Sequence, residues 1–67
     1  MNLRINGEQL QVESNIQTID DLLTFLKLQD RIVVVEQNGE IVTKEQYQEQ
    51  PVNDGDRIEI VQFVGGG

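Results

Sequence analysis

The chain has 67 residues, 37% hydrophobic and 25% charged, a composition that suits one small globular domain with a single core rather than a disordered chain. Cysteine and histidine are both absent, which removes disulfides, thiolate nucleophiles, imidazole bases and every thiolate or imidazole metal site. Twelve acidic residues against five basic ones give a net charge of −7. That field repels nucleic acid and anionic lipid, and it repels ATP as well, so nucleotide chemistry here needs cations from a partner.

The opening stretch MNLRINGEQL is too polar for a signal peptide, and no run approaches the ~20 apolar residues of a membrane span. A small domain without staples reads as cytoplasmic, with neither nucleic acid nor membrane as partner. Leu3 and Ile5, then Leu10 and Val12, alternate with polar neighbours on either side of Asn6-Gly7, the pair that best tolerates a tight hairpin turn. This is a first β-hairpin.

Ile19, Leu22, Leu23 and Leu26 recur at helical spacing and predict one amphipathic helix of about ten residues. Thr18 stands at its N-cap with Asp21 at the capping-box position, Asp20 and Asp21 suit the positive end, and Lys27 suits the other. The run IVVVEQ, a second Asn-Gly at Asn38-Gly39, and Ile41-Val42 form a second hairpin. Thr43 and Gln46 support a short helical turn that Pro51 stops, and Asn53-Asp54-Gly55-Asp56 turns the chain into a last strand, RIEIVQFV.

This order predicts an α+β fold, a mixed sheet of about five strands with one helix covering one face. Ile58 and Ile60 then face the helix, which leaves Glu59, Val61 and Phe63 on the open face. An outward face that turns apolar beside the C-terminus marks a protein-docking patch or else side chains that finish a core. No catalytic constellation accompanies it. Lys27, Lys44, Tyr47 and the carboxylates stand in no recognisable arrangement, and the DGD of Asp54–Asp56 lacks the acidic spacing of a calcium loop.

The remaining feature is the terminal run Gly65, Gly66, Gly67, which directly follows an apolar strand. Residues 1–64 read as a single domain and 65–67 as a flexible glycine tail. Glycines pass where side chains cannot, and four residues beyond Phe63 extend ~13–14 Å, far enough to carry a terminal carboxylate into a partner's site. That carboxylate is ionised at neutral pH and is a fair nucleophile toward the α-phosphate of ATP once cations neutralise the repulsion. By themselves three terminal glycines more often mark an idle chain end than a working one.

The segments VNDGDRIEIVQFVGGG, INGEQLQV and IVVVEQNGEIV resemble the C-terminal signature and the two hairpins of the ThiS family, the sulfur carriers of thiamine biosynthesis, over essentially the whole chain. The diglycine end is shared with MoaD, the small subunit of molybdopterin synthase, and with ubiquitin-like proteins generally. The resemblance implies a ubiquitin-like β-grasp fold with the first and last strands adjacent and parallel at the centre of the sheet. It implies that a ThiF-like enzyme adenylates Gly67 with MgATP, no cofactor being bound by this chain. A sulfur donor, such as a cysteine desulfurase or sulfurtransferase, then forms a thiocarboxylate that the thiazole synthase ThiG receives. Gly66 and Gly67 match the family's terminal pair and Gly65 the glycine before it, while Val61, Phe63 and Val64 lie where the partner-facing surface belongs. The protein is then a consumed and regenerated carrier rather than an enzyme, and a monomer when free. A MoaD-like carrier for molybdopterin synthesis, or a ubiquitin-like modifier of target lysines, are the alternatives.

Overall fold

Two Asn-Gly turns build most of the sheet. A computed structural model describes residues 1–63. In it Asn6 and Gly7 have φ of 51° and 83°, and Asn38 and Gly39 have φ of 52° and 88°, the left-handed pairs of tight hairpins whose twist matches that of the strands. The first turn joins β1 (Asn2–Ile5) to β2 (Glu8–Gln11), in register from Asn2↔Gln11 to Ile5↔Glu8. The second joins β3 (Val33–Gln37) to β4 (Glu40–Val42), in register from Val35↔Val42 to Gln37↔Glu40.

The last strand, β5 (Arg57–Gln62), inserts between the hairpins, so the five-stranded sheet has the order β2-β1-β5-β3-β4. It runs parallel to β1, with Arg4 opposite Arg57 and Ile5 opposite Ile58, and antiparallel to β3 from Gln37↔Ile58 to Val33↔Gln62. The mixed sheet and the central pairing of first and last strands agree with the expected β-grasp architecture.

The helix α1 (Ile19–Phe25) has seven residues and is shorter than its apolar spacing suggested. Its start is as expected: Thr18 Oγ1 accepts from the Asp21 N–H at 3.1 Å, and Asp21 Oδ2 accepts from the Thr18 N–H at 3.2 Å. Its end is abrupt because Lys27 takes a left-handed φ of 62°. The Lys27 N–H then donates to Thr24 O at 3.0 Å and the Leu28 N–H to Leu23 O at 2.8 Å, a Schellman closure in which lysine stands where glycine is usual.

One face of the sheet meets the helix around a core that includes Leu3, Ile19, Leu22, Val35 and Ile58, each no more than 1% exposed, with Ile60 also buried. Lys44–Gln46 form a 3₁₀ turn, and Gln46 Oε1 accepts from the Thr43 N–H at 2.9 Å. The segment that follows is stitched to the helix entry: the Ile19 N–H donates to Gln50 O, the Asp20 N–H to Tyr47 O, and the Val52 N–H to Gln17 O. Among the described residues no helix is long and apolar enough to cross a membrane.

Candidate functional site

β5 enters the sheet through a polar lattice. Asp56, only 7% exposed, accepts from Gln37 Nε2 at 2.7 Å, from Asn38 Nδ2 at 3.0 Å and from the Asn53 N–H at 2.9 Å. Gln37 Nε2 also reaches Pro51 O, Gln50 Nε2 donates to Gln37 Oε1 at 2.7 Å, and Asn38 Oδ1 accepts from the Arg57 N–H. Burial pushes the Asp56 carboxyl up, but the hydrogen bonds from Asn38, Asn53 and Gln37 outweigh it and hold the group below its ordinary value. Every buried polar side-chain atom among the described residues has a partner, so this lattice is a finished structural joint.

The DGD segment belongs to the same joint. Gly55 has a φ of 87°, its N–H donates to Asn2 O at 2.7 Å, and Asp54 Oδ1 accepts from the Asn2 N–H at 2.6 Å. It is the strand-entry turn that its sequence suggested, tied to the first residue of β1. Tyr47 sits partly buried against the core, and desolvation, then the Glu45 carboxylate, raise its pKa. A phenol held protonated is the opposite of what a base or nucleophile requires.

The other end of β5 is built differently. Strict alternation carries Ile58 and Ile60 into the core and turns Val61 and Phe63 outward, 55% and 57% exposed, as their sequence positions implied. Val34 lies opposite Val61 in the ladder and so shares its face, and the Phe63 N–H donates to Ile32 O at 3.0 Å. Ile32 and Ile41 are 75% and 65% exposed. Ile32, just before β3, widens the apolar surface around Val61 and Phe63, whereas Ile41 on β4 lies opposite Glu36, whose partner on β5 is Glu59.

Of the residues singled out from the sequence, Val61 and Phe63 stand together on this exposed face. Val64, Gly65, Gly66 and Gly67 lie outside the described residues. The Asp56 lattice and a side-chain clamp made by Asn6 were not foreseen. The Asn-Gly pairs signal only the asparagine part of each, since Asn38 bonds Asp56 and Asn6 bonds Ile60 through the side chain, while Gln37, Gln50 and Asp56 carry no local signal.

Among the described residues no three His, Cys, Asp or Glu side chains cluster as possible metal ligands. The geometry offers an apolar face next to the strand that leads to the glycines. Comparison with known proteins gives this arrangement a context. The ThiS family model matches residues 2–67. The sulfur carrier protein ThiS of Bacillus subtilis is 48% identical over 65 residues, covering 97% of this chain and 98% of that protein. A thiazole synthase of Paramagnetospirillum magneticum is 48% identical over all of this chain, which spans only 20% of that protein. The crystal structure of a thiamine biosynthesis protein, ThiS, from Geobacter metallireducens superposes with a TM-score of 0.83 at 39% identity, covering 100% of both chains.

Proposed function

The chain belongs to the ThiS family, and from that premise we propose that it is the sulfur carrier for thiazole formation in thiamine biosynthesis, a protein co-substrate rather than an enzyme. The observation that carries this reading is the nearly end-to-end 48% identity with the Bacillus subtilis sulfur carrier. The family match over residues 2–67 supports it as well.

In this reading residues 1–64 fold and 65–67 form the working tail. A carboxylate oxygen of Gly67 attacks the α-phosphorus of ATP in the site of a ThiF-like enzyme, and pyrophosphate leaves. This chain carries a net charge of −7, so the cations that make the attack possible belong to the partner and its magnesium. The terminal sulfur of a persulfide on a desulfurase or sulfurtransferase then attacks the acyl carbon and displaces AMP. A second thiol cleaves the resulting disulfide and leaves a thiocarboxylate on Gly67. Gly65 and Gly66 give the tail a cross-section without side chains, so it threads a narrow channel while Val61, Phe63 and Val64 dock on the partner.

The sulfur acceptor in this scheme is a thiazole synthase, a reading supported by the Paramagnetospirillum enzyme that matches the whole of this chain within one-fifth of its own length. Intact-mass analysis of the protein from its own host provides the test. A fraction with one C-terminal oxygen replaced by sulfur is expected. Adducts to lysines of other proteins, without that replacement, would assign it to the modifiers instead.

A further inference from the structure

β1 stops before β5 does, and a side chain continues in its place. The parallel ladder between them includes the Arg4 N–H donating to Asp56 O at 3.0 Å and the Asn6 N–H donating to Ile58 O at 2.9 Å. The next bonds along a parallel ladder would go from the Ile60 N–H to the Asn6 carbonyl and from a residue-8 N–H to Ile60 O. The chain has already turned away through the left-handed Asn6-Gly7 pair. The Asn6 carboxamide supplies both partners: Oδ1 accepts from the Ile60 N–H at 2.7 Å, and Nδ2 donates to Ile60 O at 3.1 Å. One planar amide thus replaces a peptide group, and only this orientation satisfies both bonds.

Ile60 is therefore the last residue of β5 held from both sides. Val61, Gln62 and Phe63 continue along β3 alone, through Val34↔Val61, Val33↔Gln62 and the Phe63 N–H bond to Ile32 O. Those residues carry the exposed Val61 and Phe63 side chains. We propose that Asn6 is a positioning residue for carboxylate activation: its carboxamide fixes β5 at Ile60, so that the docking face at Val61 and Phe63 is already in place when the activating enzyme arrives. The inference rests on the carrier reading above. Its physical basis is preorganisation, since a strand that must be ordered during docking spends part of its binding energy on that ordering.

Position 6 also allows a clean test, because its backbone demand and its side-chain role separate. Asn6→Gly keeps the left-handed turn and loses both bonds; Asn6→Asp keeps the turn and the acceptor, loses the donor, and sets a carboxylate against Ile60 O. Steady-state pyrophosphate release is measured with a purified ThiF-like enzyme and MgATP at varied carrier concentration, with far-UV circular dichroism showing each variant folded. The KM for the carrier should rise about 5- to 30-fold in both variants, the loss expected from one or two hydrogen bonds, with kcat within about two-fold of wild type. Amide exchange at Ile60 should accelerate in Asn6→Gly.

A purely structural role is separated by a double-mutant cycle. In a Phe63→Ser background, where the docking face is already impaired, adding Asn6→Gly should raise KM less than about two-fold further. Unchanged KM in both Asn6 variants, or a fully additive loss in the Phe63→Ser background, overturns the positioning role and leaves the carrier reading standing. A wild-type chain that releases no pyrophosphate overturns both.

Discussion

The two ends of β5 are held by different physics. At the entry, Asp56 and its neighbours form a lattice of hydrogen bonds shared among Gln37, Asn38, Gln50 and Asn53, with the strand paired on both sides. At the exit, one side of the pairing ends with the Asn6 carboxamide, and the next outward side chains are apolar and more than half exposed. Entry residues are bound into the fold by hydrogen bonds, whereas Val61 and Phe63 at the exit are exposed and, in the proposed reading, meet a partner. The difference separates stability from function along one short strand.

Asp56→Ala should break that separation most strongly. It leaves three donors of the lattice without their acceptor, at a cost of about 3 kcal/mol, in a chain whose total stability is on the order of 3–10 kcal/mol. Urea denaturation should show the midpoint falling with little change in slope. Acid should act through the same group. The folded pKa of Asp56 lies below the ordinary 3.8, so the unfolded chain takes up its proton first as pH falls. The stabilisation is complete above that ordinary value and is lost as pH drops through the folded one, and Asp56→Ala should flatten this part of the acid denaturation profile.

Lys27→Gly sharpens the comparison from outside both regions. Lysine in a left-handed conformation at the helix end is strained, so glycine should stabilise the protein by about 0.5–1 kcal/mol, read as a higher urea midpoint. Carrier activation should not change, because the helix end is no part of the proposed docking face. The smallest stability effect belongs to Phe63→Ser, within about 0.5 kcal/mol of wild type by urea denaturation, yet kcat/KM for adenylation should fall about ten-fold. An exit residue that proved as costly to stability as Asp56 would erase the distinction.

Much of this was legible before any coordinates. Alternation placed Ile58 and Ile60 inward and Val61 and Phe63 outward, and the paired Asn-Gly turns marked both hairpins, because periodicity and left-handed turn residues are local signals. The order of the strands was not local. It came from the likeness of three segments to a known family, since nothing in β1 or β5 alone specifies that they pair in parallel. The early helix end was hidden because Lys27 occupies the position where a glycine normally announces a stop. The lattice around Asp56 was hidden for a further reason. Gln37, Gln50 and Asp56 are far apart in sequence, and each looks like an ordinary solvated side chain until the fold brings them together.

The central claim is that Gly67 supplies the reacting carboxylate. Purified protein incubated with a ThiF-like enzyme, MgATP, a persulfide donor and a thiol should gain sulfur in place of one oxygen at Gly67, located by fragment mass spectrometry. A chain lacking Gly67 should remain folded and gain none. Sulfur found elsewhere on the polypeptide, or incorporated equally well without Gly67, would contradict the account.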